Sequence, residues 1–516
     1  LNYLSGVTSN IQTQINNAGG GNESNFTASG AITSKAPVIL KSDGNAAAVS
    51  QTTIATSFGT PQEIWNYISD SSDMCYDHTN NCVVYAFADS NNSNYRTIMC
   101  GTVNGATKQI TWDTANKLVF DTYNDPTPYS VRAGNPRVAV FYRGATDYGY
   151  VRVISISGTT PSVTGAAQRF SNQNIDIQNL SACIDDTYSA TSKVMLTYNE
   201  WNGSSHTFYA RLFTIGSSST SYGNTVTPAT VYDPTVSVWD SVSEKFILFY
   251  RAIGNNNYGG ATVANLTNDT TISGFSGGTW WHSANVYLYR ESAAYDVSSG
   301  KSVVAFRDYG QSSYAKAIAL TLTSGTLSYG GAAATTFNAS DTRNIGVAYD
   351  PTAEKIVVAY YDRGSGNPTY GKLVTLATNS ADYAITVSSP TTFFTASGAA
   401  ADYYTTTYDP DAQKVIVGYK NATTSDLESI VVQAGYDSTN LTSTNFLGFA
   451  DAAISDGASG AVILEGAVIE GLSSLTIGST YYILPTGSLS TSAGTPSVTA
   501  GMAISATKIN MRGATS

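Results

Sequence analysis

Apolar residues in this chain fall in short runs bounded by Gly, Asn, Ser or Asp, a pattern that predicts many short strands joined by turns. One unit recurs. Its clearest copy is Tyr349-Asp350-Pro351-Thr352-Ala353-Glu354-Lys355, the apolar run 356–361, Asp362-Arg363, and Tyr370-Gly371 opening another strand. The frame returns as Tyr295-Asp296, Lys301, the run 303–306, Arg307 and Tyr314, and again as Trp239-Asp240, Lys245, Arg251 and Tyr258. Tyr76-Asp77, Asp185-Asp186 and Tyr408-Asp409 head weaker copies, and Asn124-Asp125 with Arg143 and Tyr148 marks the loosest. The aspartates at 77, 125, 185, 240, 296, 350 and 409 lie 48 to 60 residues apart. Each opens a turn in which its carboxylate can accept from amides two residues on.

Four strands at a period near fifty is the spacing of propeller blades. A fourth strand follows each of the first six units but not the seventh, while a spare strand of the same type spans 58–65, just before the first unit. That strand is expected to complete the last blade and remove two open edges. The fold class is therefore all-β, with a seven-bladed β-propeller over residues 57–437. The segments 22–56 and 438–516 share a strand–turn cadence and are expected to pack as one small β domain. Over residues 1–21, Leu1, Leu4, Thr8, Ile11 and Ile15 keep the spacing of a coiled-coil seam, and isoleucine there favours trimers. A short amphipathic helix is the alternative. Two heptads are short for a coiled coil, so an upstream continuation is expected.

Composition fits strands. Of 516 residues, 42% are apolar, enough for a sizeable core, and only 12% are charged, so Ser, Thr, Asn, Gly and 35 Tyr must supply the polar surface. A net charge of −11 leaves no basic stripe for nucleic acid, and no apolar run is long enough to insert in a membrane.

Candidate chemistry sits in the loops after the second strand of each unit. Arg143 and Tyr148, Arg251 and Tyr258, Arg307 and Tyr314, and Arg363 and Tyr370 repeat there. Such residues suit sugars, whose rings have an apolar face and polar edges; equally, residues that repeat in every blade serve blade-to-blade packing. Trp201, Trp280, Trp281 and Tyr289 do not repeat and are better ligand candidates, although Trp280 and Trp281 also fit a strand core. Cys75, His78, Cys82 and Cys100 lack a zinc-ligand spacing. Cys75 and Cys82 read as buried thiols, with a cross-strand disulfide as the alternative. No motif for a metal, a cofactor or a catalytic nucleophile is present.

The frame Tyr-Asp…Lys…Arg-Asp…Tyr-Gly resembles repeats in tail-fibre-type virion proteins of marine bacteriophages and cyanophages. The segments Asn445-Phe446-Leu447-Gly448-Phe449-Ala450-Asp451 and Gly501-Met502-Ala503-Ile504-Ser505-Ala506-Thr507-Lys508 are similar to their C-terminal module, and the stretch from Leu4 to Ile15 to their coiled-coil segments. The resemblance implies an external virion protein, a homotrimer assembled with other virion proteins, that adsorbs to a host-surface glycan or protein receptor. It carries over no catalytic residue, so the expected role is recognition and not catalysis. A purely structural capsid or tail decoration, and a sialidase-like polysaccharide-cleaving enzyme, are the alternatives.

Overall fold

The structure, a computed structural model, describes residues 23–66, 68–124, 130–134, 137–185, 192–201, 203–204, 206–227, 232–253, 255–268, 271–364, 369–396, 404–421 and 423–511. The coiled-coil expectation for 1–21 lies outside these residues, as does Asp125. The described residues are strands and turns with four short 3-10 turns, and no helix among them is long and apolar enough to cross a membrane. The chain divides into two compact units, one running from Ala55 to Gly435 and the other joining the two flanks.

Among the described residues of the larger unit every strand pair is antiparallel, and the strands form six sheets. One of these is double: the long strand Gln168–Ile184 is the outer strand of one four-stranded set and the inner strand of the next. Seven sets result. The innermost strands are Ile68–Asp77, Ser130–Ala133, the second half of Gln168–Ile184, Tyr232–Asp240, Ala293–Asp296, Thr342–Asp350 and Tyr404–Asp409. Each touches the next in cyclic order, and the last touches the first.

The closing joint uses residues far apart in sequence. In the seventh set, Leu427–Gln433 pairs with Ser57–Phe58 and Gln62–Trp65, with Phe58 opposite Val432 and Trp65 opposite Leu427. This two-piece outer strand matches the first, fifth and sixth sets, whose third strands also pair with two short segments. Ile64 is buried among Met74, Tyr85, Ile416 and Leu427, between the seventh and first sets. Trp65 donates its indole N–H to Asp89 of the first set at 2.9 Å, and Lys117 lies 3.6 Å from its ring centre.

The repeat has a mechanical explanation. Second strands such as Cys82–Asp89 and Lys301–Asp308 are buried along their whole length because a sheet covers each face, so they read as unbroken apolar runs. The aspartate of each Tyr-Asp pair caps its turn: Asp350 accepts from the Thr352 and Ala353 amides, and Asp409 from those of Asp411 and Ala412. The tyrosine reaches backwards to the preceding turn, Tyr408 bonding the Thr352 hydroxyl at 2.8 Å and Tyr349 accepting the Ser298 amide at 3.3 Å. The lysine reaches forwards, Lys301 to the Ser380 carbonyl and Lys355 to that of Gly435.

The flanking unit is built from both chain ends. Glu23–Thr27, Ser459–Leu464, Phe446–Ala450, Pro37–Leu40 and Ala46–Ala48 form one sheet, and Gln51–Ile54 pairs with Tyr436–Thr439. A second five-stranded sheet comes wholly from the C-terminal side, from Val468–Glu470 to Lys508–Met511. Ile39, Val49, Leu441, Phe449 and Ile483 share a core that ties the two ends together.

Candidate functional site

Two clusters of polar side chains stand out, one on the axis of the ring and one at the loops that follow the second strands. On the axis, Asp73 of the first set accepts from the Val131 amide at 2.8 Å and from Arg132 at 3.0 Å, both of the second set. Thr405 of the seventh set donates to the same carboxylate at 3.2 Å. Glu291, leading into the fifth set, accepts the Thr406 amide at 2.8 Å and hydrogen-bonds Asp73. Burial, and then the negative charge of Asp73, push the Glu291 carboxyl well above the usual range, which favours its neutral form beside Asp73. Burial works against the Asp73 carboxylate too, yet Arg132 and the Glu291 proton hold it below its ordinary value. Two cavities, of about 430 and 300 Å³, open beside Arg132 and share it with Ile184, Ser237, Ala293 and Val297, and Glu291 lines the larger. Hydrogen-bonded carboxyls are too close to flank a glycosidic bond, which takes roughly 5 Å or more between them. This network ties sets together across the axis.

The second cluster is built differently. Arg307 ends the second strand of the fifth set and donates to Asp341 at 2.5 Å and to the Tyr309 hydroxyl at 2.8 Å. Asp341, in the connection to the sixth set, also has Arg343 at 3.5 Å and Arg363 at 3.6 Å. Asn344 takes a left-handed φ of +48°, and the register slips between Arg343 and Gly346, a local kink beside the Arg343 position. Tyr287 meets Tyr289 edge-on at 5.0 Å and Tyr309 at 6.2 Å, and Arg251 of the fourth set lies 5.4 Å from the Tyr287 ring centre. Burial raises the Tyr289 hydroxyl, against the nearby Arg307 charge and the Asn344 amide, both of which lower it. The outcome is a wall of three tyrosines beside four arginines and one aspartate, with Arg363 53% and Tyr309 40% exposed.

Of the residues singled out from sequence, Arg251, Tyr289, Arg307 and Arg363 join this cluster. The others do not. Arg143 pairs with Asp147 of its own loop at 3.2 Å, and Tyr148 is covered by the Arg169 guanidinium at 3.7 Å. Tyr258, Tyr314 and Tyr370 are half-buried at the start of third strands, Tyr314 opposite Asp308 and Tyr370 opposite Asp362. Trp201 ends the second strand of the third set, 38% exposed, and Trp280 is 45% exposed against Tyr250. Trp281 is not a ligand residue but takes the strand-core alternative. It is buried against Phe249 and Phe306, and its ring fills the space above Gly259, so it is a core residue. All four cysteines are free thiols; Cys75 lies opposite Val84, and Cys82 opposite Asp77, so the two do not face each other.

Sequence reading missed Tyr287, Tyr309, Asp341 and Arg343. All lie outside the repeating frame, in connections or next to them. Tyr309 had one signal, since it directly follows Arg307-Asp308.

No protein-family model matches this chain, and no curated protein matches it. Solved structures do. A polysaccharide lyase, an ulvan lyase bound to -[GlcA(1-4)Rha3S]-, is 9% identical over 76% of this chain and 98% of its own, with a TM-score of 0.44. The six-bladed β-propeller lectin of Aleuria aurantia, which recognises fucose, is 12% identical over 66% of this chain and 100% of its own, with a TM-score of 0.38. A protein of unknown function from Dyadobacter fermentans gives 9%, 75%, 99% and 0.37 for the same measures. The likeness is distant, and the fold assignment rests on the strand pairing.

Proposed function

We propose that this chain is a seven-bladed β-propeller that binds glycans without cleaving them, carried outward on a trimeric bacteriophage fibre to adsorb to a host surface. The observation that carries the binding reading is the Tyr287–Tyr289–Tyr309 wall beside Arg251, Arg307 and Arg363. Tyrosine faces suit the apolar side of a sugar ring, and guanidinium groups suit its hydroxyls. Tyr309 is the exposed ring of the three, and Tyr287 and Tyr289 are half-buried behind it, with Tyr289 packed against the core. The virion setting is supported by the tail-fibre resemblance of the repeat and of the C-terminal module. In that setting three copies would turn a weak single-site affinity into useful avidity.

The test is binding of the purified protein to a glycan array and to host cells, wild type against Tyr309→Ala. The reading requires glycan binding in the wild type, loss of at least tenfold in the variant with an unchanged melting temperature, and blocked phage adsorption. Wild-type protein that binds no glycan and does not compete with phage would overturn it.

A further inference from the structure

We infer that Arg307, Arg343 and Arg363 around Asp341 form a subsite for an anionic substituent of the glycan, a sulfate ester or a sugar carboxylate. This rests on the carbohydrate reading above and narrows its ligand class. Charge carries the first part of the argument. Three guanidinium groups converge on one carboxylate, leaving a surplus of two positive charges in a chain whose net charge is −11. The neighbouring carboxylates do not make up the difference. Asp308 is engaged by His282 at 3.1 Å and Lys316 at 2.8 Å, and Asp362 by Lys372 at 2.6 Å.

Hydrogen-bond capacity carries the second part. Of the three guanidinium groups only that of Arg307 is within hydrogen-bond length of the Asp341 carboxylate; those of Arg343 and Arg363 stand at 3.5 and 3.6 Å, near enough for charge attraction but not for a good bond. An oxyanion with several lone pairs accepts from more than one guanidinium at once, which the Asp341 carboxylate, with one short bond, does not do here. A sulfate or carboxylate can accept from two of these arginines while the sugar ring that carries it lies against the tyrosine wall. Arg307 is positioned by its bonds to Asp341 and Tyr309, whereas the Arg363 side chain, half in solvent and held to the Asp341 carboxylate only at 3.6 Å, is the one with room to turn to a ligand.

The test uses the full chain and three probes: a sulfated carrageenan tetrasaccharide, a galacturonate tetrasaccharide, and neutral maltotetraose. Affinity is measured by calorimetry at 50 and 500 mM salt, for wild type, Arg363→Gln and Arg343→Gln/Arg363→Gln. The inference requires at least one anionic probe to bind roughly tenfold or more tighter than maltotetraose, to weaken with salt, and to lose about tenfold in the variants. Which anionic probe binds identifies the substituent. Equal binding of neutral and anionic probes, unchanged in the variants, would overturn the anionic subsite and leave the carbohydrate reading standing. Arg363→Gln is the safeguard against misfolding, because its side chain is half in solvent. Anionic binding that survives both variants would place the ligand elsewhere and equally defeat the inference.

Discussion

The hydroxyl of Tyr76 donates to the Asp411 carboxylate at 2.9 Å, joining the first sheet of the ring to the turn of the seventh. It is the same backward reach that Tyr408 and Tyr349 make to their preceding turns, here used across the joint between the two ends of the ring. Tyr76→Phe removes a bond to a charged acceptor and is expected to cost about 1.5–3 kcal/mol in urea denaturation. Tyr349→Phe, whose hydroxyl accepts from a neutral amide, should cost about 1 kcal/mol. Equal effects would mean that the Asp411 bond has no special strength.

The axial carboxyl pair predicts a pH dependence. Glu291 has a raised folded pKa, so the stability it contributes is fully present below the unfolded value of about 4.3 and is lost as pH rises towards the folded one. Glu291→Gln keeps a donor for Asp73 and an acceptor for the Thr406 amide without a titrating proton. Melting curves from pH 5 to pH 9 should show the wild type losing stability relative to this variant as pH rises. Parallel curves would show that Glu291 is ionised in the fold.

The turns after the Asp caps store backbone strain at one recurring position. Asn81, Glu244, Gly300, Glu354 and Gln413, each four residues beyond its aspartate, all have φ between +52° and +68°. Gly300→Ala would meet no neighbouring atom, so its expected cost, about 1 kcal/mol, comes from the backbone alone. Glu354→Gly should be neutral or slightly stabilising. Chemical denaturation of both variants checks the pair; stabilisation by Gly300→Ala would contradict it.

Trp280 and Trp281 separate sharply. Trp281→Ala empties a core site and should cost about 3–5 kcal/mol, whereas Trp280→Ala should change stability by less than about 1 kcal/mol. Thermal melts of the two variants decide it.

These differences show where sequence was informative. The Tyr-Asp-Lys frame was legible because the aspartate caps its turn in unit after unit and the tyrosine and, at Lys301 and Lys355, the lysine bridge to neighbouring sets, so periodicity exposes it. The site was not. Arg251, Tyr287, Asp341 and Arg363 come from three different sets, and Tyr287, Asp341 and Arg343 fall in segments that do not repeat. Asp73 and Glu291 meet only because the ring brings the first and fifth sets to one axis. Trp280 and Trp281 are adjacent in a strand, where alternation puts one out and one in, but register slips along Thr271–His282 hide which is which. Arginine repeats were ambiguous for a further reason. Arg152 and Arg211 satisfy backbone carbonyls of the preceding set, Phe120 and Phe170, so much of the arginine in this chain is structural.

The N-terminal strand closes the ring, and a cross-link between directly opposed residues tests that most directly. Phe58→Cys/Val432→Cys places two thiols across the joint, which peptide mapping by mass spectrometry distinguishes from the native thiols. The expected result is a single intramolecular 58–432 disulfide under mild oxidation and a higher melting temperature than the reduced form. Failure of that disulfide to form, or its appearance only between chains, would contradict closure.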